Sequence, residues 1–292
     1  MKKLKKVEVQ IVNAFVDNDK GGNPAGVVLN ADDFTNEEKL KIAAVVGLSE
    51  TAFVSKSNVA DFKLDFFTPK RQIAHCGHAT IGAFSYLSQL DMIANPNSSK
   101  ETIDGKRDIM INGELAFMEQ KAPVYKDVSD KKKIILESLS LNENDLPENA
   151  PVLLVSTGNS FIIIPVLNTS VLEKIKPQFD LIEKISEDLD LIGYYVFTQS
   201  EHSGRDVTTR MFAPRYGIKE EAGTGMAAGP LACYLYDKLN FNQSKFLIEQ
   251  GNFMQTPSPS LIYVDLVLED SKIIKLMAGG KGISVSKKVF EI

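Results

Sequence analysis

The sequence holds only two cysteines and three histidines in 292 residues. Two cysteines in a chain of this length build no disulfide framework, so a cytoplasmic setting is the expectation. It also has no run approaching the roughly 18 apolar residues that a membrane span needs. Positive charge is not in surplus. A formal net charge of -5 argues against a general nucleic-acid binder, which needs a concentrated basic face. Low-complexity stretches are missing as well. The opening MKKLKK is basic, but VEVQIVNAFV follows, alternates and contains Glu8. It therefore reads as a strand and not as the core of a signal peptide. The chain does have 43% hydrophobic and 24% charged residues, enough for one large folded domain or two ordinary ones.

The chain repeats itself. Phe67-Thr68-Pro69-Lys70-Arg71-Gln72-Ile73 and Phe212-Ala213-Pro214-Arg215-Tyr216-Gly217-Ile218 share Phe, Pro, a basic residue and Ile at the same spacing. Each leads into a small-residue segment, CGHATIGAFSYL and AGTGMAAGPLACYLYD. Upstream, LSETAFVS stands opposite IGYYVFTQ, and GGNPAGVVL has a weaker echo in TGNSFIIIP. Several echoes in one order, offset by about half the chain, predict two similar halves.

Alternation and β-branched content predict strands at VEVQIVNAFV, AGVVL, ETAFVS and DFKLDFFTP, then at 151–156, 160–166, 193–198 and 206–213. KFLIEQ, SLIYVDLVLE and GISVSKK add late strands. TNEEKLKIAAVVG reads as a helix, with Thr35 and Glu38 as a capping box and Gly47 as its stop. Further helices are expected at 78–90, 178–189 and 225–238. The first and last of these are small and apolar on nearly every face, the mark of a buried helix. Gly82 and Gly229 inside them predict close backbone approach. Residues 121–149 read as a charged, irregular spacer, in which Lys131-Lys132-Lys133 is a solvated helix start. The resulting picture is a sheet wrapped around a central helix, made twice, with the helix starts facing a cleft between the halves.

The segment His75-Cys76-Gly77-His78 allows three readings. A metal site is disfavoured, because the three side chains are too close for a typical zinc set and no second Cys/His cluster exists. A reactive thiol is supported by the position of Cys76 at a helix start, where the dipole lowers a thiol pKa. Its bland counterpart is a small buried residue. Paired-thiol chemistry is excluded, since Cys233 lies about 16 Å along its helix from the place matching Cys76. In the third reading the free N–H groups of Gly77-His78-Ala79-Thr80 and Gly223-Thr224-Gly225-Met226 bind a small anion; ordinary capped helix starts are the alternative. Glu50, between a helix end and a strand, is an acid–base candidate if it points inward and a surface residue if it does not. Glu220 and Glu221 either serve chemistry or complement the dipole of the helix they precede.

The segments VNAFVDNDKGGNPAGVVL, LSETAFV, FFTPKRQIAHCGHATIGAFSYL, RMFAPRYGIKEEAGTGMAAGPLACYL, EQGNFMQTPS and GGKGISV together resemble the phenazine-biosynthesis PhzF-like family, in order and across nearly the whole chain. The resemblance implies a diaminopimelate epimerase-like α/β (α+β) fold. That fold has two similar halves, each a mixed sheet rolled around a central helix, with the active site in the cleft between them. The expected domains are 1–119, with the strand at 281–292 packing on it, and 120–280. It also implies an isomerase without cofactor or metal. The founding activity of the family shifts a proton within a dihydro-hydroxyanthranilate ring. By likeness, Glu50 removes and returns the proton, His78 is the active-site histidine and Glu221 is a second carboxylate, one methylene longer than the Asp of the phenazine enzyme. Gly77, Gly223, Thr224 and Gly225 match the amides that hold the substrate carboxylate, and Asn23 matches a cleft-lining position. Met226 stands where that enzyme has serine, so the pocket differs. Cys76 and Ala222 occupy the places of the epimerase's two catalytic cysteines. The expected partner is a small anionic metabolite, with a homodimer implied by likeness, and no nucleic acid or membrane. The alternative is a non-catalytic small-anion binding protein on the same scaffold.

Overall fold

A computed structural model describes residues 5–292; Met1–Leu4, the start of the basic MKKLKK stretch, lie outside the described residues. The chain divides into two compact units, residues up to Glu119 with Gly279–Ile292, and Gln120–Ala278.

In the first unit, β1 (Lys6–Ala14) pairs antiparallel with β2 (Asn23–Val28), and β2 runs parallel to β3 (Thr51–Ser55). A parallel pair needs a crossover, which α1 (Asn36–Val46) supplies. Its start is fixed locally. The Thr35 hydroxyl accepts from the Glu38 N–H at 3.2 Å, and the Glu38 carboxylate accepts from the Thr35 N–H at 2.9 Å, so two orphan donors are satisfied. Gly47 ends it with φ of 72°, a left-handed turn that glycine takes without strain. Next, β4 (Phe62–Phe67) is antiparallel to β3, and the short β5 (Gln72–Ile73) folds back on β4. The crossover α2 (Gly77–Gln89) then leads to β6 (Asn97–Thr102), parallel to β4. β7 (Gly105–Asn112) and β8 (Leu115–Lys121) continue antiparallel. α2 packs on β1, β2 and β3, and ten of its residues are buried.

The second unit opens with β9 (Val124–Asp127), α3 (Lys132–Glu137), β10 (Leu153–Ser156) and β11 (Ser160–Pro165). Two helices, α4 (Thr169–Lys174) and α5 (Phe179–Asp188), cross to β12 (Gly193–Gln199). β13 (Val207–Phe212), α6 (Gly225–Leu239), β14 (Lys245–Gln250), β15 (Ser260–Glu269) and β16 (Lys272–Glu291) complete the chain. β10 to β15 repeat the orientations of β1 to β7, β5 aside: antiparallel, parallel, antiparallel, parallel, antiparallel. α6 packs on β10, β11 and β15, as α2 packs inside its own unit. The α/β fold with two similar halves, each a mixed sheet around a central helix, is therefore the one the sequence predicts.

Two expectations need correction. The stretch 121–149 is no irregular spacer. It carries β9 and α3, and Val128, Ile135, Leu136, Leu139, Leu141 and Leu146 enter the core of the second unit. GISVSKK is only part of β16, a single 20-residue strand. Its portion from Gly279 onward belongs to the first unit, where it pairs antiparallel with β1 from Lys6↔Glu291 to Ala14↔Gly282.

The two helix glycines also differ. A Cβ at Gly82 would sit 3.6 Å from Val12, an ordinary contact, whereas one at Gly229 would sit 2.3 Å from Gln120 Oε1 and 2.8 Å from Leu276. Gln120 cannot step aside cheaply, because it donates to the Gly225 carbonyl at 2.8 Å and accepts from Thr157 at 2.6 Å. Gly229→Ala is expected to lose about 1–3 kcal/mol through overpacking, while Gly82→Ala is neutral or gains up to about 1 kcal/mol of helix propensity. Urea midpoints of the two variants check this; equal midpoints would remove the distinction.

Candidate active site

Glu50 ends the turn between α1 and β3. Its backbone is pinned to the sheet, since its carbonyl accepts from the Gly26 N–H at 3.1 Å. The side chain turns inward and is buried, with Oε2 at 3.3 Å from Nε2 of His78. His78 is the second residue of α2, also buried. On the other edge of its ring, Nδ1 lies 3.6 Å from the sulfur of Cys76. Glu50, His78 and Cys76 thus form a row, carboxylate–imidazole–thiol, along the first turn of α2. The first internal amide bond of this helix runs from Thr80 N–H to Cys76 carbonyl at 3.2 Å, so Gly77, His78 and Ala79 precede it with their N–H groups on the start of the helix.

The thiol is not the activated one that a helix start alone predicts. Burial pushes the Cys76 pKa up; the imidazole of His78 works against this and the Glu50 carboxylate adds to it. Cys233 is wholly buried in α6, and burial raises its thiol pKa as well. Iodoacetamide at neutral pH is therefore expected to leave both thiols unlabelled in the folded protein, because the thiolate is the reactive form. Intact-mass analysis reads this directly, and rapid single labelling would restore the reactive-thiol reading of Cys76.

His75 does not join the row. Its Nδ1 lies 3.3 Å from Nζ of Lys100, and burial, Lys100 and Arg107 hold its pKa well below the usual histidine range. Lys100, on β6, was not singled out by sequence. It is fully buried, donates to the Thr80 hydroxyl at 2.6 Å and lies over the Phe66 ring. Thr80 passes the bond on to the Cys76 carbonyl at 2.6 Å. Burial brings the Lys100 pKa down to about 7.

The donor atoms of Glu50, Cys76 and His78 lie within 4.8 Å of one another, so these three, rather than the His75-Cys76-His78 run, are the set that could hold a metal ion.

In the second unit, the corresponding helix start carries Glu221, whose carboxylate accepts from the Thr224 hydroxyl. Glu220 instead makes a two-point ion pair with Arg210, at 2.8 and 2.9 Å, so its partner is a side chain rather than the dipole. Among the expected amide donors, Thr224 is already committed: its N–H donates to Gln250 Oε1 at 3.0 Å. Gln250 returns bonds to the Glu221 carbonyl at 2.7 Å and the Thr224 hydroxyl at 3.1 Å, and accepts from Tyr195 at 2.9 Å. The first internal amide bonds of α6 run from Ala227 and Ala228 to the Thr224 carbonyl, which leaves Gly225 and Met226 ahead of them. Gly223 is buried beside Thr224. The sulfur of Met226 accepts from the Asn159 amide at 3.4 Å. Asn23 is buried at the first residue of β2. Gln250 was missed as a site residue although EQGN belongs to the recognised motif set. No helix among the described residues is long and apolar enough to cross a membrane.

The family model described as phenazine biosynthesis-like protein matches residues 12–288. An uncharacterized isomerase of Clostridium acetobutylicum is 33% identical over 97% of this chain and 98% of its own. The trans-2,3-dihydro-3-hydroxyanthranilate isomerase of Pseudomonas chlororaphis is 26% identical over 95% of this chain and 96% of its own. Among solved structures, the PhzF-family phenazine biosynthesis protein of Bacillus anthracis superposes with a TM-score of 0.87 at 30% identity, covering 99% of both chains.

Proposed function

This chain belongs to the phenazine biosynthesis-like family of isomerases, and from that premise we propose that it moves a proton within a small carboxylate-bearing metabolite, with Glu50 as the group that takes and returns it. The observation that carries the reading is the buried Glu50 carboxylate facing the His78 imidazole at 3.3 Å on the amide-rich start of α2. Glu50 abstracts a proton from a carbon next to a conjugated or carbonyl system. The electron pair left behind spreads over that system, and the fixed N–H groups of the helix start stabilise its charge. The protonated Glu50, whose proton exchanges with solvent while it is held, then delivers a proton to another carbon, so atoms and charge balance without a co-reactant. His78, beside the carboxylate, supports the exchange of its proton. At 3.3 Å the two groups are in ion-pair contact but outside hydrogen-bond geometry, and catalytic contacts of this kind tighten when substrate binds.

The substrate carboxylate is assigned to the N–H groups of Gly77 and its neighbours in the first unit. Glu221, Gly223, Thr224, Gly225 and Met226 form the equivalent start in the second, with Asn23 as a further polar contact. There the Thr224 side chain, Gly225 N–H and Met226 N–H are the groups proposed to bind, since the Thr224 amide is taken. The trans-2,3-dihydro-3-hydroxyanthranilate acted on by the Pseudomonas relative is one member of the substrate class. Met226 puts an apolar side chain at the start of α6, which favours other members.

The experiment is incubation in heavy water with a panel of small carboxylates, that dihydroanthranilate included, and mass analysis of each. A substrate gains one deuterium or changes its retention time. A carboxylate that raises the melting temperature while none of the panel gains deuterium or changes its retention time would overturn the isomerase reading in favour of a small-anion binding protein.

A further inference from the structure

The row Cys76–His78–Glu50 has an order that the proton-shuttle reading leaves unused. We propose that Cys76 is a positioning residue: its S–H donates to Nδ1 of His78 and so fixes the imidazole in the tautomer that carries its proton on Nε2, towards Glu50. The proposal rests on the reading of Glu50 as the ionised base.

An ionised carboxylate only accepts hydrogen bonds. The nitrogen 3.3 Å from it, an ion-pair contact outside hydrogen-bond geometry in this state, is therefore assigned the hydrogen, because the other tautomer would set a lone pair towards the carboxylate in a buried site. A neutral imidazole has one N–H and one acceptor, so Nδ1 is then the acceptor. The sulfur 3.6 Å away faces that acceptor and can supply a proton to it. It keeps this proton at neutral pH: Cys76 is buried, and the nearby Glu50 carboxylate disfavours a second negative charge. Burial, which excludes nucleophilic thiol chemistry, thus makes the thiol a dependable donor. Its backbone is also held. Lys100 donates to Thr80 and Thr80 to the Cys76 carbonyl, both at 2.6 Å, which fixes the peptide from which the thiol projects. The second unit has Ala222 where the duplicated motif would place a cysteine, so this arrangement exists once in the chain.

The test is nitrogen-15 NMR of histidine-labelled protein, which distinguishes the two neutral tautomers, on wild type, Cys76→Ala and Cys76→Ser. His75 and His202 serve as internal references. Wild type is expected to show His78 wholly as the Nε2–H tautomer. Cys76→Ala mixes the tautomers, and Cys76→Ser, which keeps an X–H donor, restores the single form. In the heavy-water exchange reaction Cys76→Ala is expected to lose at least about tenfold in kcat, with KM unchanged and with recovery in Cys76→Ser, because an imidazole in the wrong tautomer cannot support the carboxylate. A Cys76→Ala protein with the wild-type tautomer intact would overturn the proposal. Should Cys76→Ala fail to fold, the infrared S–H stretch of wild type decides: a band shifted by hydrogen bonding supports the donor role, and an unshifted band ends it. The NMR and infrared readouts need no turnover. Loss of the fixed tautomer in a protein that exchanges no substrate deuterium would thus sink the isomerase reading and leave the positioning of His78 standing.

Discussion

Glu50→Gln is expected to lose solvent-deuterium exchange into substrate by about 10²–10⁴-fold, the usual contribution of a positioned acid–base group. Gln keeps the shape and the hydrogen-bonding reach of Glu but offers no basic oxygen. The carboxylate sits in a buried place beside an imidazole and the start of a helix, so the variant removes the base and little else. The fold should survive. An amide is cheaper to bury than an ionised carboxylate, and the backbone bond from Gly26 to the residue 50 carbonyl does not depend on the side chain. The expected pattern is an unchanged or higher melting temperature, a similar KM and a kcat near background. Exchange at the wild-type rate would remove Glu50 from the proton-transfer role.

Lys100→Met is expected to stabilise the protein below pH 7, by an advantage that shrinks as pH rises. Lys100 has its pKa brought down from 10.5 to about 7 by burial, with no carboxylate among its hydrogen-bond partners, which are Thr80 and the His75 ring. Between pH 7 and 10.5 the unfolded chain holds a proton on this amine that the folded chain has released. Stability therefore rises with pH across that window, by about 1.4 kcal/mol per unit for one proton. Below pH 7 both states are protonated, and the folded state bears the full cost of a buried ammonium, roughly 4–5 kcal/mol at the upper limit. Met fills similar volume and carries no charge. Loss of the bond to Thr80 subtracts about 1 kcal/mol, while Thr80 keeps its own bond to Cys76. Urea denaturation at pH 6 to 10 measures the gap between variant and wild type, and a gap that does not change with pH would show that the amine titrates at its ordinary value. His75 acts in the same sense at lower pH: its half-buried ring, beside Lys100, resists protonation, so stability falls as pH drops through the range where an unfolded histidine gains a proton.

Where local chemistry decides the structure, the sequence was readable. Thr35, Glu38 and Gly47 bound α1 as their residue types require, and KFLIEQ and SLIYVDLVLE are strands residue for residue. The duplication was legible because residues 67–73 and 212–218 share Phe, Pro, a basic residue and Ile at one spacing and each leads into a helix of small residues. What failed was segments whose face pattern is set by distant partners. NSSKET and GKRDIMIN hold few apolar residues, yet become β6 and β7 by pairing with each other and with β4 and β8. In 121–149 most charges lie outside, Asp145 being buried, and the buried leucines and isoleucines stand between them, so composition concealed a core.

The site divides in the same way. Glu50, Cys76 and His78 were each candidates, but their order in space comes from the packing of α2 on β2 and β3, which no spacing of 26 to 28 residues reveals. Lys100 was invisible because lysine is almost never fully buried, and Gln250 because its partners, Glu221 and Thr224, lie more than twenty residues upstream.

The path of β16 bears on synthesis by the ribosome. β1 emerges almost first, yet the strand it pairs with along its length is made some 270 residues later, when Gly282 to Glu291 appear. At about 5–20 residues per second, the early strands wait tens of seconds with one hydrogen-bonding edge exposed. The Gln120–Ala278 unit is contiguous and has all its own residues, the first part of β16 included, before Gly279 emerges from the tunnel. The half that starts the chain is therefore the last to close, and a nascent-chain holdase has its longest opportunity at the bare edge of β1.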